Sequence, residues 1–129
     1  MKPIITELNY TYKKEGTDIR VLNTKDIPIP KENSIDTQFI TIPPENIGGN
    51  HKHPRTEYYI GMGSELELVW INNENKTEYL KMNPEGQLLL IEIPPMIPHA
   101  VVNKSKNQTA FLIEYANDVL KNTESVKVV

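Results

Sequence analysis

Glu65-Leu66-Glu67-Leu68-Val69-Trp70 alternates polar and apolar side chains, and Asn72-Asn73-Glu74-Asn75-Lys76 follows almost at once. Strict alternation is what a half-buried strand requires, because successive side chains point to opposite faces. The Asn-rich run supplies turn residues, and Thr77 to Lys81 resumes the extended pattern. Working outward, the same grammar recurs along the chain: Ile19 to Asn23, Thr37 to Ile42, Glu57 to Ile60, Leu88 to Ile93, Ala100 to Asn103 and Ala110 to Tyr115 all read as short strands. Leu88 to Ile91 is continuously apolar, as in a strand covered on both faces. Asn83-Pro84-Glu85-Gly86 and Lys104-Ser105-Lys106-Asn107 read as turns, and prolines 43, 44, 94, 95 and 98 fall at strand ends, where a missing N–H does least harm. No long helical period occurs, and only Asn117 to Asn122 reads as a helical turn. The expectation is an all-β sandwich, jelly roll or barrel.

With 129 residues the chain suits one domain, 1–129, with 1–16 as an N-terminal arm or edge strand ahead of Gly16. The absence of cysteine removes disulfides, thiolate nucleophiles and cysteine-zinc sites together. Against 17 acidic residues the 14 lysines and arginines are scattered, which argues against a nucleic-acid surface. There is no apolar run of signal-peptide or membrane-spanning length, so no membrane partner is expected and the location expected is cytoplasmic.

The residues that carry chemistry cluster in Asn50-His51-Lys52-His53-Pro54-Arg55-Thr56-Glu57. On a strand, His51 and His53 point to one face, and Glu57 shares their parity if the chain stays extended past Pro54. Two imidazoles and a carboxylate on one face suit Zn, Fe, Mn or Ni. The remaining histidine of three, His99, follows Pro94-Pro95-Met96-Ile97-Pro98 and opens a new strand. Taken singly, a His-x-His pair is a common surface accident, His99 a turn residue and Glu57 a solvated carboxylate. Their coincidence on a strand-rich chain is what points to one divalent ion held by His51, His53, Glu57 and His99. Tyr59 shares their parity and reads either as a catalytic acid–base or as an aromatic filling the barrel. Lys52 and Arg55 read as diphosphate contacts or as solvated cations, and Trp70 as a stacking platform or as core.

This stretch resembles the first cupin motif, Gly-x5-His-x-His-x(3,4)-Glu-x6-Gly, with Gly63 one residue early for the terminal glycine. Gly86, Pro94, His99 and Asn103 resemble the second motif, Gly-x5-Pro-x-Gly-x2-His-x3-Asn. Glu45 and Met96 stand where glycines of the two motifs are expected, which puts those loops in question more than the ligands. Gly49-Asn50-His51-Lys52-His53, Ile91-Glu92-Ile93-Pro94-Pro95 and Glu114-Tyr115-Ala116-Asn117-Asp118-Val119 resemble the C-terminal cupin domain of capsular-polysaccharide reductase/epimerases and the small cupins that isomerise nucleotide-linked keto-sugars. The resemblance implies a cupin-type double-stranded β-helix, a zinc ion, and epimerisation or ketoisomerisation of a keto-sugar. It also implies a homodimer, for which an N-terminal strand such as Ile4 to Tyr12 could either join a neighbour's sheet or cap its own barrel. A non-haem iron dioxygenase and a non-catalytic ligand-binding module use the same ligands and stay open.

Overall fold

The computed structural model describes residues 1–129. Its main strands are β1 (Ile4–Leu8), β4 (Asp36–Ile42), β5 (Ile47–Lys52), β6 (Glu57–Met62), β7 (Leu66–Ile71), β8 (Thr77–Lys81), β9 (Leu88–Ile93), β10 (His99–Asn103) and β11 (Ala110–Ala116). Three two-residue strands complete the set: β2 (Tyr12–Lys13), β3 (Arg20–Val21) and β12 (Glu124–Ser125). The first sheet runs β1-β9-β6-β11-β4 and the second β12-β5-β10-β7-β8, while β2 and β3 form a separate hairpin. Every pairing is antiparallel. No helix is long and apolar enough to cross a membrane.

The two sheets face each other across the main core, in which Leu66, Leu68 and Trp70 of β7 meet Leu89, Ile91 and Ile93 of β9. The even members of β9, Leu88 and Leu90, point outward instead. With Tyr58 and Ile60 they make a second cluster under Leu8 and Ile27 of the N-terminal segment. The unbroken apolar run in β9 is therefore explained by cover on both faces.

Four sequence expectations change. The N-terminal strand stops at Leu8 and pairs in register with β9 of its own chain, Ile4 opposite Glu92 and Leu8 opposite Leu88, so the capping alternative is the one realised. Ile19 to Asn23 contributes only Arg20 and Val21, paired with Tyr12 and Lys13 outside the main sheets. Asn117 to Asn122 forms bends and no helical turn. The fourth is β5 itself, whose start carries a single β-favouring side chain, Ile47, followed by Gly48, Gly49 and Asn50. Its register against β10 slips between His99 and Ala100, so that His51 opposes His99 and Gly49 opposes Ala100. Gly49 occupies the positive-φ region at 89°, and a Cβ there would stand 2.9 Å from the His99 carbonyl oxygen. A glycine at such a bulge lets the two histidine-bearing strands close on each other.

Glu45 and Met96 stand where the cupin motifs have glycine, and both adopt left-handed backbone, at φ 62° and 66°. Each follows a proline in a tight turn, the position that favours glycine. The Met96 N–H donates to the His53 carbonyl at 2.9 Å, so this turn is tied to the segment bearing the site. A side chain in that region costs about 1–2 kcal/mol, partly offset by the freedom glycine adds to the unfolded chain. Glu45→Gly and Met96→Gly should each stabilise the protein by about 0.5–1 kcal/mol, raising the melting temperature by roughly 2–4 °C in thermal denaturation. A lower melting temperature for both would show that the strain resides elsewhere.

Candidate metal centre

His51 lies near the end of β5 in the second sheet and Glu57 begins β6 in the first. Between them the chain crosses from one sheet to the other through His53, Pro54, Arg55 and Thr56, which replaces the single extended strand expected from parity. The donors converge because the chain turns across the barrel interior, and His99 at the head of β10 joins them by pairing with His51.

One donor atom from each of His51, His53, Glu57 and His99 falls within 4.8 Å of the others. Donors about 2.0–2.2 Å from a shared ion stand roughly 3–4 Å apart, so the set fits one divalent ion with little movement. Imidazole centroids lie 4.8 Å apart for His51 and His53, 4.9 Å for His51 and His99, and 5.1 Å for His53 and His99. His53, Glu57 and His99 are 1–2% exposed, whereas His51 is only partly covered and forms the open side. His53 is the telling member. Its Nε2 is 3.1 Å from Glu57 Oε1, yet neither ring nitrogen makes an aligned hydrogen bond. An imidazole buried with both nitrogens unused is expensive unless something else takes a lone pair.

The surrounding groups orient these donors. His99 Nδ1 donates to the Ile97 carbonyl at 2.8 Å, because a carbonyl can only accept, and so Nε2 presents its lone pair to the centre. Tyr59 donates to Glu57 Oε1 at 2.6 Å and lies 3.1 Å from His99 Nε2. On the other carboxylate oxygen, Oε2, Arg55 donates from Nε at 2.8 Å and approaches with its Nη2 at 2.6 Å. Arg55 is itself anchored by Asp36 at 2.9 Å and the Asp118 carbonyl at 3.1 Å, with Glu114 at 3.5 Å.

The electrostatics follow. Burial alone would raise the Glu57 pKa, but the close approach of His53 and His99, together with Glu114 and the Tyr59 hydroxyl, outweighs it and holds the carboxyl far below the usual range. Glu114 moves the opposite way: burial, with the neighbouring Glu57 carboxylate, pushes it up to about 9. His51 is lowered to about 4, first by burial and then by His99 and His53, so it stays neutral and available as a ligand. Burial raises Tyr59 well above its ordinary value, with Glu57 and Glu114 adding to the effect, so its phenol keeps its proton.

Other sequence candidates are placed differently. Arg55 lines the cavity but is 4% exposed and fully engaged, so it is a positioning group and not a free cation. Lys52 alternates away from His51 on β5, in register with Glu124 of β12, and does not reach the cavity. Trp70 sits opposite His99 in the β7–β10 pair and fills the main core, so it offers no stacking face. Sequence reasoning missed Asp36 and Glu114. Glu114 was accessible from parity, since Ala110, Leu112, Glu114 and Ala116 share the buried face of β11. Asp36 carried no such signal.

A folded-state pKa raised above the unfolded value favours folding most below the unfolded pKa, and that contribution declines as pH climbs toward the folded one. For Glu114 the window runs from about 4.5 to about 9. In metal-free protein, Glu114→Gln keeps a donor toward Glu57 and removes this titration. Its melting temperature relative to wild type should therefore rise steadily between pH 5 and 9. Parallel curves would show that Glu114 already ionises freely.

No family model and no curated protein matches the chain by sequence. Solved structures do share its fold. A dTDP sugar isomerase from Desulfovibrio desulfuricans superposes with a TM-score of 0.72 at 14% identity, over 98% of this chain and 84% of that one. QdtA, a sugar 3,4-ketoisomerase from Thermoanaerobacterium thermosaccharolyticum solved with TDP, gives 0.65 at 13% identity, over 93% and 83%. The capsular polysaccharide assembling protein CapF from Staphylococcus aureus gives 0.60 at 16% identity over 72% of this chain, which spans 27% of the length of CapF. Identity at this level speaks to architecture, and these neighbours are cupin-fold proteins. With two antiparallel sheets enclosing a His-rich centre, this chain has the cupin fold.

Proposed function

We propose that the chain is a metal-dependent enzyme that epimerises or isomerises a keto-sugar by moving a proton on the carbon next to a carbonyl. The observation that carries this reading is the open side of the donor cluster. His51, Glu57 and His99 face a cavity of about 280 Å³ walled by β4, β5, β10 and β11, so a small molecule can reach the centre. The ligands would be His51, His53, Glu57 and His99, and the ion zinc, with Fe, Mn or Ni as alternatives. When bound, such an ion polarises a ketone oxygen and stabilises negative charge developing on it. Glu57 supplies the single formal charge of the donor set, held in place by Arg55. Tyr59 lines the same cavity with its hydroxyl on Glu57 Oε1, and it would pass its proton to the substrate by exchanging that bond. The fold of the dTDP sugar isomerase and of QdtA supports a sugar substrate.

Metal analysis of protein purified without added metal, followed by exchange in deuterated water, tests the reading. About one zinc per chain is expected, together with solvent deuterium appearing in TDP-4-keto-6-deoxyglucose or its free keto-sugar counterpart. His99→Ala should lose the metal and lower the melting temperature; unchanged metal content would remove His99 from the ligand set. Iron with oxygen consumption would indicate a dioxygenase instead, and no metal a ligand-binding module.

We also propose a homodimer, supported by edge strand β4. Its Thr37 to Ile42 stretch carries no charge, whereas edge strands β1 and β8 do. It leaves Phe39 67% exposed beside Phe111, ring centroids 6.0 Å apart. Uncharged apolar edges invite pairing. Phe39→Glu should halve the mass measured by light scattering, and an unchanged mass would place the interface elsewhere.

A further inference from the structure

Apart from the donor residues, Arg55 and Glu114, the cavity above the donor cluster is lined by uncharged side chains. Ile40 and Leu112 line its wall in the first sheet, Ile47 and Val101 line it in the second, and Leu120 of the C-terminal segment also lines it. Its polar lining away from the ligands includes Gln38, Thr41 and Asn46, none of them ionisable, and the Asn46 amide is already spent on the Pro44 carbonyl at 2.9 Å. Arg55 is the one basic side chain in the lining apart from the histidines. Its guanidinium is committed to Glu57, Asp36, the Asp118 carbonyl and Glu114. The nearby lysines offer no substitute: Lys52 belongs to the other face of β5, and Lys121 is paired with Asp118 at 3.0 Å.

A diphosphate is recognised by forked arginines, by lysines or by the N–H groups opening a helix. This cavity is walled by strands and offers none of these. An anion moved out of water into such a site without a partner meets a heavy desolvation penalty. We infer that the cavity takes an uncharged keto-sugar, with aliphatic contacts along one side of the ring, and has no subsite for a nucleoside diphosphate.

This rests on the proposed proton-transfer reaction only for its carbonyl, and the two are separable. Zinc-loaded full-length protein is given TDP-4-keto-6-deoxyglucose and the methyl glycoside of the same keto-sugar in deuterated water. TDP alone is titrated by calorimetry in parallel. The methyl glycoside should exchange with kcat/KM within about threefold of the TDP-linked sugar or above it, and TDP should give no saturable heat up to about 1 mM. A preference of about tenfold or more for the TDP-linked sugar, or saturable TDP binding below about 0.1 mM, overturns the inference. Exchange in neither sugar counts against the reaction and leaves the calorimetry to decide the subsite: saturable TDP heat overturns it, and none upholds it.

Discussion

A carboxylate 1% exposed inside a β-barrel is the constraint around which this molecule is organised. Glu57 is surrounded by core on one side and imidazoles on the other, and an ion in that setting is tolerated only when its oxygens are fully engaged. One oxygen takes the Tyr59 hydroxyl and faces two imidazoles; the other takes the Arg55 fork. Arg55 is buried in turn and needs its own partners, which it finds in Asp36 from β4, Glu114 from β11 and the Asp118 carbonyl beyond β11. A single buried charge thereby ties together β4, β6, β11 and the segment that leaves the first sheet. Low local dielectric makes such a network strong when complete and costly when any member is removed.

The three imidazoles reach this carboxylate through backbone geometry. His51 and His99 are brought opposite each other by antiparallel pairing, and the bulge at Gly49 allows the close approach. His53 lies in the crossover between sheets and is held by the turn at Met96, whose N–H reaches its carbonyl. That turn and the one at Glu45 adopt the left-handed conformation that the glycines of the cupin motifs would adopt without strain. The turn geometry persists although the residue that makes it easy is absent. Surrounding structure over-determines both positions, as is common where strain borders a functional centre.

The sharing of architecture with the dTDP sugar isomerase at only 14% identity has the same origin. A two-sheet barrel demands alternation along strands, turn residues between them and a filled interior, and many sequences satisfy that. What those demands leave free is the lining of the mouth. Here it mixes aliphatic side chains with the uncharged Gln38, Thr41 and Asn46, and the one arginine near it serves the buried carboxylate. Fold and donor set are thus compatible with several substrates, and the mouth is where they are distinguished.

Local pattern settled a good deal. The alternation of Glu65 to Trp70, the double-faced run of β9, the hairpin turns and the coincidence of all three histidines with Glu57 were legible because each depends on neighbours within a few residues. Glu114 was legible in principle through its parity on β11. The roles of Arg55, Lys52, Trp70 and Asp36 were not, because a side chain's partner across a sheet is set by register, and register is a long-range property. Parity suggested that His51, His53 and Glu57 meet, but for the wrong reason: it placed them on one strand, whereas they converge from two sheets through a crossover. Composition and spacing along the chain determined which residues were candidates. Closure of the barrel decided which are buried, which charges meet and which face the cavity, since burial and electrostatic pairing act through space and not along the backbone.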